Sequence, residues 1–348
     1  MAYTDIDKPS DYFNTKLYTG NGSTSRSITG VGFQPDWVWV KSRSATYYHG
    51  LWDAVRTNKS ALYSNVTNAE DTSTGGTLGS LDSDGFTTQN VSGGFINNNG
   101  TTYASWNWKA GGSASSNSNG SITSSISASS NSGFSIVSYS GTSSNGTIGH
   151  GLDSAPKMVI VKALASGRDW MTYHKSVGAT KYLFLNATDA SASSSGIWND
   201  TDPTSTVVHL GSSNSVNGNG INYIAYCFAE KQGYSKISSF VGNGNASGTY
   251  VHLGFSPSFV LYKVSSAASD WYIQDNKRLT YNVNNTRLEA NNSNTEVTGA
   301  ADSIDMLANG FKLRHTSSSF NASGATYIFM AFASNPLVTS TGVPATAR

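Results

Sequence analysis

Short apolar runs separated by polar turn residues cover the chain, and they predict strands rather than helices. The run from Trp37 to Val40 is apolar at every position and comes soon after Pro35, as expected for a strand buried within a sandwich. Segments such as LWDAV, GFTTQN and TTYASWNW are short and bounded by turn-forming residues. No segment combines a sustained helical period with capping residues. The pattern predicts an all-β fold of antiparallel β-sandwiches, with roughly seven or eight strands in each.

The strand-forming block occurs three times. PDWVWVK (Pro35 to Lys41) returns as PKMVIVK (156 to 162) and as PSFVLYK (257 to 263). A second block, with Asn65, Asn186 and Asn291 as counterparts, follows each copy. A third block ends each copy, as NNGTTYASWNW, GNGINYIAYCF and ASGATYIFMAF. A period of about 100 residues is that of a domain, since solenoid repeats are much shorter. We therefore expect three tandem copies of one domain.

The repeats and the composition divide the chain into six segments. The Gly/Ser-rich stretch is a flexible linker or adds an edge strand, and unit one is expected to swing against a rigid pair of units two and three. The first segment either docks on the rest or is frayed. The segments are an N-terminal docking arm (1–16), β-sandwich unit one (17–110), a Gly/Ser-rich linker (111–132), unit two (133–231), unit three (237–334) and an extended C-terminal tail (335–348).

Charge and hydropathy exclude several classes of partner. Charged residues make up 12% of the 348 residues, against about 25% in typical soluble domains, and the net charge is +1 without a basic run. Binding to nucleic acid or to an anionic membrane surface is therefore not expected. No apolar run approaches the roughly 18 residues needed to cross a bilayer, so we expect no membrane insertion. Cys227 is the single cysteine, which rules out an internal disulfide.

The sequence contains no convincing catalytic or metal-binding motif. Its six histidines share no position across the repeats, although His174 stands where units one and three have an aspartate, and none has zinc-site spacing. No G-x-S-x-G elbow is present, and the GNG stretches lack the Lys-Ser or Lys-Thr pair of a phosphate loop. We expect no catalytic residue, no metal and no cofactor.

Two aspartate and arginine pairs recur with the scaffold, Asp53 with Arg56 and Asp275 with Arg278. Side chains three apart on a flat strand face opposite ways, so a direct pair needs a bulge or turn. One interpretation is a polar clamp for a ligand, because arginine and carboxylate hold hydroxyls or anions well. The interpretation we favour is a structural ion pair at a strand end.

One variable loop carries the pattern of a ligand site. Trp198, Asn199, Asp200 and Asp202 place an aromatic ring beside polar groups that match sugar hydroxyls, and loops commonly carry function. The alternative is that the tryptophan folds back onto its own unit. This loop is the candidate ligand-binding site.

Several blocks resemble tailed-bacteriophage proteins, notably those of marine and cyanobacterial phages. The resemblance covers nearly the whole chain and is carried by MAYTDIDKPSDYFNTKLYTGNGS, GFQPDWVWVKSR, YASWNWKAGG, GHGLDSAPKMVIVK, KYLFLNATDA and YIAYCFAE. It implies tandem jelly-roll or concanavalin-like β-sandwiches in a virion structural protein associated with tail fibres. The implied location is the extracellular particle, after assembly in the host cytoplasm.

These observations favour a non-enzymatic tail fibre or tail-associated adhesin that binds a glycan or protein of the host surface. One alternative is a capsid or tail decoration or connector protein, and a second is a glycan depolymerase. The expected partners are other virion proteins and a host-surface glycan. A homo-oligomer such as a trimer is expected by analogy with phage fibres. The alternative is that three fused copies give one chain a pseudo-threefold shape.

Overall fold

The computed structural model describes residues 4–56, 60–73, 77–89, 94–165, 167–299 and 303–344. Within these ranges the regular structure is almost entirely antiparallel strand, which confirms the predicted all-β class. The helical segments described are a 3-10 turn at Pro9–Asp11 and two short helices, α1 (Ser195–Trp198) and α2 (Ser318–Asn321).

The strands follow the repeats, although the first strand begins at Phe13, four residues inside the predicted arm, and the last one extends to Pro336 in the predicted tail. Unit one contains β1 (Phe13–Thr19), β2 (Ser25–Thr29), β3 (Trp37–Ser42), β4 (Gly50–Asp53), β5 (Thr77–Asp82), β6 (Gly85–Gln89) and β7 (Thr102–Trp108). Next come β8 (Ser115–Asn117), β9 (Ser124–Ser129), β10 (Phe134–Ser140), β11 (Gly146–Gly149), β12 (Met158–Ala163), β13 (Met171–His174), β14 (Lys181–Phe184), β15 (Ala192–Ser193), β16 (Val207–Leu210) and β17 (Asn222–Phe228). Unit three contains β18 (Ser235–Val241), β19 (Tyr250–His252), β20 (Phe255–Val264), β21 (Tyr272–Asp275), β22 (Thr286–Glu289), β23 (Val297–Thr298), β24 (Ile304–Leu307), β25 (Gly310–Leu313) and β26 (Thr326–Pro336).

Each unit is a sandwich of a larger inner sheet and a smaller outer sheet. The inner sheets contain the orders β1-β7-β3-β4, β10-β17-β12-β13 and β18-β26-β20-β21, which are the same arrangement three times. The outer sheets are β2-β6-β5, β11-β16 and β19-β25-β24. The sequence repeats are therefore also repeats of sheet topology.

Alternate side chains of each inner strand enter two different cores. On β3, Val38 and Val40 pack inside their own sandwich, whereas Trp37 and Trp39 enter a central core that receives side chains from all three units. Strands β12 and β20 divide in the same way, as the period of two requires. The uninterrupted apolar runs are thus explained by a core on each face. Three units share one core, rather than each having only its own.

Aromatic contacts fix unit one against both of the others. Trp37 stacks on Tyr226 of unit two, with ring centroids 4.5 Å apart. Phe13 stacks on Phe332 of unit three, with centroids 5.1 Å apart. Buried aromatic pairs of this kind add stabilisation beyond the area they bury. The expectation that unit one swings is therefore wrong, because its inner face lies in the shared core.

The segments between and around the units are also packed. In the Gly/Ser-rich segment 111–132, β9 pairs with β10 along six residues and so extends the sheet of unit two instead of hanging free. The N-terminal arm docks on the short connection between units two and three, where the Thr4 hydroxyl donates to the Gln232 carbonyl at 3.1 Å. Farther along, the Ser340 amide donates to the Asp7 carboxylate at 2.6 Å. The two terminal segments therefore lie side by side.

Candidate functional site

The loop predicted to bind a ligand folds inward. The Ser194 side chain caps α1, and this one-turn helix carries Trp198 into the core of unit two, where the ring is 1% exposed and packs edge-on to Tyr173. Asn199 ends the helix in the left-handed conformation. Trp198 therefore cannot serve as the predicted sugar platform, and the alternative that it folds back onto its own unit describes the structure.

The polar members of that loop are held by neighbouring side chains. The Asn199 amide oxygen accepts from Asn145 at 2.7 Å. The Asp202 carboxylate accepts from the Tyr173 hydroxyl at 2.8 Å and from Lys175 at 2.5 Å. Asp200 is exposed. Three of the four residues are thus in contact with other side chains of unit two, so this loop has the geometry of a packed turn.

The two aspartate and arginine pairs form buried ion pairs at strand ends. Asp53 ends β4, and the chain then turns so that the Arg56 Nε donates to its carboxylate at 2.7 Å. In unit three Arg278 donates to Asp275 at 2.6 Å. Amides of the turn also donate to each carboxylate, at 2.8 Å from Arg56 and 2.9 Å from Arg278. All four side chains are almost fully buried, which favours a structural role over a ligand clamp.

Each of these carboxylates also accepts a hydrogen bond from another unit. The Tyr226 hydroxyl of unit two donates to Asp53 at 2.8 Å, and the Trp106 indole of unit one donates to Asp275 at 3.1 Å. In the alignment of the third block, Tyr226, Trp106 and Met330 are counterparts. Methionine offers no donor, and the position that faces it in unit two is occupied by a histidine.

His174 replaces the aspartate of the other units and uses a different contact. Its Nε2 lies 3.2 Å from the Phe329 carbonyl oxygen of unit three. Burial lowers the pKa of His174 to about 4, because the charged imidazolium is disfavoured away from water. A neutral ring that donates from Nε2 therefore keeps a hydrogen bond to a neighbouring unit at this position, with the donor on the opposite side from the Asp53 and Asp275 contacts.

The lysine that closes each Pro-to-Lys strand reaches the preceding unit in the ring. Lys41, Lys162 and Lys263 are completely buried, and each ammonium donates to backbone carbonyl oxygens. One of those carbonyls is always two residues after the asparagine of a second block. The contacts run from Lys162 Nζ to Thr67 O at 3.1 Å, from Lys263 Nζ to Thr188 O at 2.8 Å and from Lys41 Nζ to Ser293 O at 3.2 Å.

Burial lowers the pKa of each of these lysines from 10.5 to about 8. A lysine with a depressed pKa is a candidate nucleophile in a catalytic site. Here each side chain is inaccessible and its hydrogens are directed at carbonyl oxygens of two units. The lysines therefore hold units together and offer no nucleophile to a substrate.

A further set of contacts repeats the same direction. The indole of Trp170 donates to the Tyr63 carbonyl oxygen at 2.8 Å, and that of Trp271 donates to the Phe184 carbonyl oxygen at 2.8 Å. Unit one has a histidine at this position, and His49 Nε2 lies 2.9 Å from the Glu289 carbonyl oxygen. Its Nδ1 accepts from the Trp39 indole, which places the proton on Nε2.

These contacts form a closed ring. Unit two reaches unit one, unit three reaches unit two, and unit one reaches unit three, through equivalent positions each time. Head-to-tail contacts of one kind close only when the rotation between units completes a circle. The chain therefore has a pseudo-threefold arrangement, with the shared core at its centre.

The metal-ligating side chains, the cysteine thiol and the helices bear on the remaining functional classes. No group of three or more His, Cys, Asp and Glu side chains that could hold a metal ion is found there. Cys227 is buried, and burial raises the pKa of its thiol to about 12. None of the described helices is long and apolar enough to cross a membrane.

The chain belongs to the family described as Domain of unknown function (DUF7483), whose model matches residues 8–336. A single family domain thus spans all three units, in agreement with the core that they share. No curated protein matches the chain, and no solved structure matches it either.

Proposed function

We propose that this member of the family is a non-catalytic structural protein of a bacteriophage virion, a tail fibre or tail-associated adhesin that attaches the particle to the host surface. The observation that carries the proposal is the closed ring of equivalent contacts. The lysines that all three units keep, and the Asp and Arg that two of them keep, are buried between or within units. The side chains that the units share thus hold the three units together and do not line a cleft in which a substrate could react.

The remaining support comes from composition and from the resemblance to tailed-phage proteins. In this Cys-poor all-β chain the buried aromatic side chains supply stabilisation that does not depend on disulfides. A surface of neutral polar loops carries little charge that would recruit nucleic acid. Both properties suit a protein that assembles in the host cytoplasm and then works on an extracellular particle.

The test uses a bacteriophage whose genome carries this sequence. Mass spectrometry of purified particles is expected to detect the chain, and deleting its reading frame is expected to reduce adsorption to host cells. The proposal would be refuted if mass spectrometry did not detect the chain in purified wild-type particles. Restoring the frame from a plasmid is the control, since it should restore adsorption.

A decoration or connector protein is the second candidate, and one observation favours it. The two terminal segments lie side by side, joined by Ser340 and Asp7, so a neighbouring protein would meet both of them at one place. This function predicts that the chain is present in particles and that its deletion leaves adsorption unchanged. The adsorption measurement therefore separates the two candidates.

A further inference from the structure

The three units differ at two aligned positions that lie close together: the residue after the Pro of the Pro-to-Lys block, and the second residue after the third block. In unit one, the Asp36 carboxylate accepts from the Ala110 amide at 2.7 Å. In unit two, the counterparts Lys157 and Glu230 form an ion pair. In unit three the counterparts are Ser258 and Ser334, whose hydroxyls donate only to backbone carbonyl oxygens. Small side chains thus stand where the other units have a charged group.

A polar cleft of about 340 Å³ lies at this place, between unit three and the start of unit one. Seven of its ten lining residues are serine or asparagine, which makes the lining rich in groups that donate and accept hydrogen bonds. Phe13, stacked on Phe332, contributes an aromatic part to the lining. Ligand sites of this size fall at the small end of the range of about 300 to 1,000 Å³.

Two side chains of the cleft have unused binding capacity within the described structure. Asn276 is 3% exposed, and its Oδ1 has no hydrogen-bond partner there. A buried amide oxygen without a donor is a cost of roughly 1 to 3 kcal/mol, so its persistence calls for a reason. Lys277 is exposed and forms no ion pair among the described residues. The counterparts of Asn276 are Ala54 and Lys175, so this amide is particular to unit three.

We propose that this cleft binds a single sugar residue of a glycan, with a preference for a sugar that carries a carboxylate. The sugar hydroxyls would donate to Asn276 and exchange hydrogen bonds with the serines, while the Lys277 ammonium faces the carboxylate. The inference deepens the proposed attachment function and rests on it only for the source of the glycan.

The test is a calorimetric titration of the full chain with galacturonate, glucuronate and mannuronate, and with the neutral parent sugar of each. At least one uronate is expected to bind, and to bind about tenfold more tightly than its neutral parent, since a charge-assisted contact is lost in the latter. Asn276→Ala should weaken binding about tenfold and leave the melting temperature unchanged or raised, because it removes a buried oxygen that lacks a donor.

Lys277→Val introduces the residue that unit one has at this position and should abolish the preference for the uronate. Ser176→Val, the equivalent change in unit two, is the matched control and should bind as the wild type does. The inference is overturned if none of the six sugars binds, or if Asn276→Ala binds like the wild type. A protein that binds a sugar here but is missing from particles would refute the attachment function alone.

Discussion

The three buried lysines predict that the protein becomes more stable between pH 7 and pH 9. The pKa of each is about 8 in the folded chain and 10.5 in the reference state of an exposed lysine. Between those values the unfolded chain binds more protons than the folded chain does, so the free energy of unfolding rises with pH. The buried charge of each lysine therefore lowers the free energy of unfolding at neutral pH, and this loss disappears as the lysines deprotonate above pH 8.

The size of the rise follows from the same shift. At pH 9, one unit above the folded pKa, each lysine adds roughly 1.4 kcal/mol, or about 4 kcal/mol for the three. Buried tyrosines oppose this at higher pH. Desolvation raises the pKa of Tyr139 and Tyr262 well above 10, so unfolding releases protons from such groups once the pH passes 10. From pH 7 to pH 9 the lysines therefore dominate, and the buried Cys227 thiol opposes them by only about 0.4 kcal/mol at pH 9, since it ionises near that pH in the unfolded chain alone.

Urea unfolding followed by tryptophan fluorescence at pH 7, 8 and 9 measures the effect directly. Lys162→Met should lower stability overall, since it leaves the Thr67 carbonyl without its donor, and should reduce the rise by about one third. Lys181→Met is the matched control, because Lys181 is exposed, and it should keep the whole rise. A stability that is flat or falls from pH 7 to pH 9, or a Lys162→Met variant with the full rise, would refute the reasoning.

Three further predictions concern a hydrogen bond between units, a hydrogen-bonded loop within unit two, and the mass of the molecule in solution. Tyr226→Phe removes the hydroxyl that donates to Asp53 and should lower the free energy of unfolding by about 1 to 3 kcal/mol, as measured by chemical denaturation. Tyr234→Phe is the control and should not lower it, since the buried Tyr234 hydroxyl has no partner among the described residues. Asn217→Ala should lower the free energy of unfolding by about 2 to 4 kcal/mol, because the buried Asn217 side chain forms hydrogen bonds with three backbone groups. Asn219 is exposed, so Asn219→Ala should change it by no more than about 0.5 kcal/mol. Light scattering should give the mass of one chain, 36.8 kDa, since the fused units already occupy the contacts that a trimer would use; a mass three times larger would contradict this.

The strands could be predicted from the sequence, but the partners of their second faces could not. The run Trp37 to Val40 announces burial on both sides of β3, since apolar residues occupy successive positions. Periodicity reports how deeply a face is buried and carries no information on what covers it. The second face is covered by the other two units, and that follows only from the closure of the ring.

The candidate site shows the same limit and one missed signal. The sequence of a polar loop does not tell whether the ring of its tryptophan faces water or the core. The ring of Trp198 faces the core. The inter-unit lysines carried a usable signal, because a lysine that ends an apolar strand in all three copies of a charge-poor chain needs a buried partner.

A second set of functional residues lies one residue before the third aligned block, outside the alignment, and consists of Asn97, Asn217 and Asn321. All three pin the loop after the first strand of their unit.

Unit two departs from the others as a set, and the physics of burial explains why. Where units one and three have Asp, Arg and Glu in contact, unit two has His174, Val177 and Ser191, and the facing residue of unit three is Met330. A buried carboxylate without its arginine and its donor is destabilised by several kcal/mol, so a lone aspartate in unit two would be costly. A neutral histidine bonded to a carbonyl avoids that charge altogether. The ring thus tolerates divergence between its units when every buried charge at a position is kept with its partners or is replaced together with them.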